Sequence, residues 1–255
     1  MQSLINYPDI EKELKKQVDS LMSEWKKSTS ENFTTDGFYP YYTAQKYRIL
    51  FVGRESRCLT GYDYITKLYE GYKQNRIGND HINRDMFHRR LLKIAYGLLN
   101  DFPEWKNVPS AQNITASFAT PNGISFAFMN ISKISNENQE YQSNWGNINK
   151  SINDAICGAK NYIKSEIELL APDIIICSGV DAIHHIIGDA ELLSEQSLIK
   201  VYSLWIAQKQ VLLFNTYHFT ARRGVNNIGL KDYDGFYLPI KQLFKQYQRL
   251  IGTRK

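Results

Sequence analysis

Residues 48–57 read RILFVGRESR. Ile49, Leu50, Phe51 and Val52 follow one another with no polar residue between them. A strand with one solvated face alternates, so this segment must be covered on both faces, as strands of a parallel sheet between helices are. Three more runs of the same kind follow: ISFAFMN (124–130), DIIICSG (173–179) and VLLFNT (211–216). Helical periodicities separate them. Phe87, Leu91, Ile94, Ala95, Leu98 and Leu99 form one stripe. Ile152, Ile156, Ile163, Ile167 and Leu170 form another, ending before Pro172. Tyr237, Ile240, Leu243, Phe244, Tyr247 and Leu250 form a terminal one. Ahead of all these, Ile10, Leu14, Val18, Leu21, Met22 and Trp25 share a face of a helix over 9–27, with Pro8 at its start. The alternation predicts an α/β fold, a three-layer α/β/α sandwich around a central four-stranded parallel sheet. A fifth apolar stretch, LIKVYSLWI (198–206), reads as an extra strand or hairpin partner. A single domain is expected over residues 1–255, with an N-terminal helical extension over about 1–45; 43% hydrophobic content supplies one sizeable core.

The formal charge of +5 permits nucleic-acid binding without demanding it. Three cysteines, Cys58, Cys157 and Cys177, lie far apart with no Cys-x-x-Cys pair. That argues against a disulfide framework, a four-cysteine zinc site and a four-cysteine iron–sulfur cluster. Cys157 and Cys177 sit in apolar-patterned segments and read as core, and a reducing cytoplasm is expected. The segment MQSLINYPDIEKELKKQ has no apolar h-region, and no apolar run approaches the roughly 20 residues of a membrane helix. Neither a cofactor nor a metal is expected.

Ligands of open α/β sheets bind at the carboxyl ends of the strands. The first run is followed there by Glu55, the second ends in Asn130, the third in Ser178-Gly179, and the fourth leads to His218 and then Arg222, Arg223 and Gly224. A carboxylate, a carboxamide, a hydroxyl and an imidazole are thus expected on one rim.

The ordered set FVGRESR, FAFMNIS and NTYHFTARRGVNN resembles the uracil-DNA glycosylase superfamily over most of residues 47–250, at low identity. The family's first motif reads Gly-Gln-Asp-Pro-Tyr in its best-known branch, and its last reads His-Pro-Ser. The resemblance implies a DNA glycosylase-type fold and a hydrolase that cleaves the N-glycosidic bond of uracil or another modified base after base flipping. Single- or double-stranded DNA would be its partner, with no membrane, and a monomer is expected. Carried over by position, Glu55 orients the attacking water and His218 stabilises the departing base. Asn130 reads the base edge, Gly53 belongs to the base pocket, and Tyr62 or Tyr64 stacks on the base. Arg222, Arg223, Lys133 and Arg57 would contact DNA. The chain departs from the pattern at Glu55, one methylene longer than Asp, at Ser56-Arg57 in place of Pro-Tyr, and at Phe219-Thr220 in place of Pro-Ser.

These residue types suit the reaction. The transition state is oxocarbenium-like, so a carboxylate near the sugar steadies the cation and steers water. A neutral histidine donates to the base oxygen as it becomes anionic. An asparagine carries both a donor and an acceptor, and so reads a pyrimidine edge in one orientation. Two alternatives stand beside this reading: a glycosylase-fold protein that binds nucleic acid or a nucleobase without cleaving it, and a flavodoxin-like small-molecule enzyme. The bulky, charged GRESR counts against the second, which needs small residues around phosphate. Elsewhere, NDHIN (79–83) lacks the spacing of a nuclease metal motif. RDMFHRRLLK (84–93) reads as a basic amphipathic helix with a solvated face. His184 and His185 are adjacent and are expected to point apart, and FVGRES lacks the dinucleotide glycine pattern.

Overall fold

The computed structural model describes residues 5–29, 33–138, 142–157, 159–180, 183–224 and 227–252. Its main sheet has seven strands: β1 (Gly37–Phe38), β2 (Ile49–Arg57), β3 (Ala127–Asn136), β4 (Ile174–Ser178), β5 (Ala190–Glu195), β6 (Ile199–Ile206) and β7 (Lys209–Thr216). Their spatial order is β1-β3-β2-β4-β7-β6-β5. The four apolar runs form the parallel centre, β3-β2-β4-β7. Three antiparallel strands extend it: β1 beside β3, and β6 then β5 beyond β7. The sheet is therefore mixed and seven-stranded, where a four-stranded one was expected. The fifth apolar stretch forms β6, in a hairpin with β7. The largely exposed Ala190–Glu195 and the two-residue β1 carry too little apolar patterning to be seen in the sequence.

Alternate side chains of each central strand feed separate cores. Phe51, Phe128, Ile176 and Phe214 face one side. Val52, Met129, Cys177 and Leu213 face the other. The first side is covered by α2 (Tyr64–Lys73), α3 (Met86–Leu99), α4 (Ala111–Ala116) and α8 (Leu238–Tyr247). The second is covered by α1 (Asp9–Lys27), α5 (Trp145–Ala155), α6 (Tyr162–Leu170) and α7 (Ile183–Ile187). Side-chain caps start several of these helices where the sequence turns polar. Asp63 accepts from the Thr66 N–H, Asp85 from His88, Asn144 from Asn147 and Asn161 from Lys164.

Other expectations change in detail. The N-terminal segment is built into the second core: Trp25 of α1 is fully buried and stacks on Tyr162, with ring centroids 5.5 Å apart. The stripe from Ile152 to Leu170 is two helices, broken by a hairpin at 156–157 and 160–161. That hairpin exposes Cys157, while Cys177 is buried as expected. The strands also run further than the apolar runs, so Glu55 lies inside β2 and Asn130 inside β3. The reason is that β2 and β3 go on pairing, Glu55 opposite Ser132, after their side chains turn polar. No helix among the described residues is long and apolar enough to cross a membrane.

Candidate functional site

Strand register aligns the four parallel strands where their apolar runs close. Gly53 lies opposite Asn130, and Ser178 lies opposite Thr216. Val52 opposite Cys177 ties the two pairs together. Each of the four follows, by two residues, a side chain of the first core, so all face that side. A polar row thus crowns this core at the carboxyl end of the sheet.

Gly53 is needed for close approach. A Cβ there would lie 2.9 Å from the Phe128 ring and 3.1 Å from Asn130 Oδ1. Asn130 itself is 3% exposed, and its backbone N–H donates to Asp36 Oδ2 at 2.7 Å. Its Nδ2 is buried without a hydrogen-bond partner among the described residues. A buried donor in that state costs about 1–3 kcal/mol. Tyr64 stacks on Phe128 with centroids 4.8 Å apart, whereas Tyr62 is 53% exposed with the Lys67 ammonium over its ring. Of the two tyrosines, Tyr64 walls this site. Phe87 of α3 joins the parts, its ring 6.1 Å from Phe128 and 5.4 Å from His218. Asn130 and His218 therefore lie on the same side of the sheet.

His218 Nδ1 sits 2.7 Å from Thr220 Oγ1 and accepts the Thr220 backbone N–H at 3.3 Å. That assigns the proton of the neutral ring to Nε2. Burial, followed by the charges of Arg54 and Arg57, pushes the His218 pKa down to about 4. Phe219 is fully buried against Phe51, Phe87 and Phe236. Its N–H donates to Ser178 Oγ at 2.8 Å, fixing the end of β7 to the end of β4. Gly179 has φ +65°, and a Cβ there would lie 2.7 Å from Arg54 Nη2 and 2.9 Å from His218 Cβ. Only glycine meets both conditions at low cost. Arg54 is held by the Gly179 carbonyl at 2.8 Å and lies 4.9 Å over the Trp145 ring.

Glu55 turns toward the start of α5. Its Oε1 accepts from Asn136 Nδ2 at 2.8 Å and from the Asn144 N–H at 3.1 Å. Its Oε2 is buried and has no hydrogen-bond partner among the described residues. Arg57 is tied to the same segment, donating to the Gln142 carbonyl at 2.9 Å.

Lys133 does not face DNA. It is 1% exposed and lies on the second side of the sheet, paired with Asp36 and, at 2.9 Å, with Glu166. Three residues past Asn130, the alternation of β3 sends it to the opposite face. Arg222 and Arg223 are exposed on the loop after β7, with Arg223 donating to Asn227 at 3.1 Å. That loop is stapled by a residue the sequence reading missed. Arg90 of α3, 3% exposed, donates to the carbonyls of Phe219 (2.6 Å), Ala221 (2.8 Å) and Leu230 (2.6 Å), and to Asp232 (2.9 Å). Arg89 grips Asp232 through two further bonds, at 2.7 and 3.1 Å. The basic stretch 84–93 therefore turns His88 and Arg90 inward. The signal was available: Arg90 falls three residues after Phe87 and beside Leu91, on the apolar stripe.

Beside His218 a groove of about 930 Å³ opens between the strand ends and the β5–β6 turn. Arg54, Thr216 and His218 line one side, and His184, His185 and Lys200 the other; Asn130 and Glu55 lie outside it. The two histidines do not point apart as expected. Their ring centroids are 3.9 Å apart, and His184 stacks on Tyr202 at 4.4 Å. Helix α7 is only five residues long, and Tyr202 draws His184 toward its neighbour. Among the described residues no three His, Cys, Asp or Glu side chains gather to hold a metal ion. No protein-family model and no curated protein matches this chain.

Proposed function

We propose that the chain is a DNA glycosylase of the uracil-DNA glycosylase type, acting on uracil or another modified base turned out of its stack. The observation that carries this reading is the buried Asn130 Nδ2 without a partner, on the same side of the sheet as a neutral His218. A base carbonyl would supply the acceptor that Asn130 lacks, while its Oδ1 would accept from a ring N–H. The parallel order β3-β2-β4-β7 between two helical layers supports the same reading. In the reaction the C1′–N bond breaks and its electron pair leaves with the base. His218 Nε2–H donates to the base oxygen as charge builds there, with Arg54 and Arg57 adding positive field. Water adds to C1′ and passes its proton to the Glu55 carboxylate, whose Oε2 is unengaged. Arg222 and Arg223 hold phosphate beside the pocket.

A second reading is favoured by one observation. Glu55 Oε1 is committed to Asn136 and Asn144, as in a protein that binds a flipped base without cutting. Alkali treatment of a panel of base-modified oligonucleotides separates the two. The glycosylase reading expects strand breaks at one modified base, abolished by Glu55→Gln and reduced at least about a hundredfold by His218→Ala. Binding of a modified strand with no abasic product from any base would establish the second reading instead.

A further inference from the structure

Beyond His218 and Arg54, the residues of the groove beside His218 take no part in that chemistry. At about 930 Å³ it matches the upper end of whole small-ligand sites, about 300–1,000 Å³, and exceeds the needs of one base. Its charge leans positive: Glu195, the one carboxylate among its described lining residues, pairs with Lys200 at 2.7 Å, which leaves the Arg54 guanidinium as the excess charge. Its wall carries flat rings in sequence, Tyr202 against His184 and His184 against His185. Its lining includes the apolar Leu198 and Ile199. An excess guanidinium, stacked rings and an apolar part of the lining together suit a nucleotide, with its phosphate and its flat base. The groove also shares His218 with the site where a flipped base would sit.

We propose that this groove seats the nucleotide flanking the extruded one, and that the substrate is therefore single-stranded DNA. In a duplex the flanking nucleotide is paired and stacked, and freeing it costs a few kcal/mol beyond the first flip. In a single strand it is free to stack on a ring platform. The inference rests on the nucleic-acid reading of the rim.

The test uses Glu55→Gln protein, so that no bond is cut. Its probe is a fluorescein-labelled, uracil-containing strand of about 12 nucleotides, alone and annealed to its complement, followed by anisotropy. The single strand should bind at least about tenfold tighter than the duplex. His184→Ala with His185→Ala should weaken single-strand binding about tenfold and leave duplex binding within about twofold. Ser197→Trp, on the exposed β5–β6 turn, should do the same by filling the groove without disturbing the core. Unchanged single-strand affinity in both variants, or equal affinity for the two DNA forms, overturns the proposal. If Arg222→Ala with Arg223→Ala weakens both DNA forms while the groove variants weaken neither, the DNA reading stands and the groove inference falls. If no oligonucleotide binds at all, both fall.

Discussion

Lys133 and Arg90 are both buried cations, one on each side of the sheet, and they are held in opposite ways. Lys133 meets two carboxylates, Asp36 and Glu166, each fully buried. Arg90 meets three backbone carbonyls and one carboxylate, and its guanidinium lies 4.3 Å over the Phe236 ring. A compact ammonium serves as a counter-charge, while a planar fork with several donors fixes the path of a chain. The first cluster is thus a matter of charge balance inside the core, with Asp36 also bound to the backbone of Asn130. The second sets the shape of the loop that follows His218 and displays Arg222 and Arg223.

Removing each cation should break the comparison differently. Lys133→Met leaves two carboxyl groups facing each other in the core and should cost about 3–5 kcal/mol, read by urea unfolding. Arg90→Met should cost about 3 kcal/mol, and its signature is local. Amide exchange should accelerate over 219–224 and 227–231, and on the proposed DNA reading oligonucleotide affinity should fall with it. Arg90→Lys keeps the charge but not the fork, and should not restore protection there; full restoration would mean that charge alone holds the loop.

Two smaller effects sharpen the contrast. His218 should titrate near 4 by NMR, and Arg54→Gln should move it upward, though not to 6.5, because burial is the larger cause. Between about 4 and 6.5 the folded state binds fewer protons at this ring than the unfolded chain does, so its contribution to stability declines as pH falls through that window. A His218 that titrates unshifted would remove the neutral donor from the proposed chemistry. The smallest change is expected from Glu166→Gln. Burial first, then the Asp36 carboxylate, pushes the Glu166 carboxyl well up despite Lys133. A raised acid stabilises the fold fully below its unfolded pKa and loses that contribution as pH rises through the folded value. Glu166→Gln should therefore change stability by about 1 kcal/mol or less near pH 5, and compare more favourably with wild type as pH rises. A loss of several kcal/mol at every pH would mean that Glu166 works as a full ion.

The central strands were legible because burial on both faces leaves an unbroken apolar run, as at Ile174–Cys177. The edge strand β5 was not, because Glu191, Leu192 and Glu195 are exposed and its pairing rests on backbone bonds to β6. In the candidate site, Asn130, Gly53 and His218 could be placed because the apolar run of each strand closes with a change from apolar to polar, even where the strand itself runs on. The direction of Lys133 was equally computable from alternation along β3, once that strand is allowed to run past Asn130. Glu55 was harder, since its partners Asn136 and Asn144 come from a segment with no periodic signal. The groove was invisible for a related reason: its far wall is the β5–β6 turn, and the packing of α7 against Tyr202 of β6, rather than composition, brings His184 and His185 to it.

The Phe219 N–H bonded to Ser178 Oγ couples two stretches of sequence 41 residues apart. A proline at 219 has no N–H, so it would orphan the serine hydroxyl and empty the space that the ring fills among three other aromatics. Neither the His-Phe-Thr segment nor the end of β4 can drift toward another pattern alone. Each substitution is harmful on the background of the other's present residue, and a change acceptable to both must arrive as a pair. Phe219 is thereby kept in place by its dependence on Ser178.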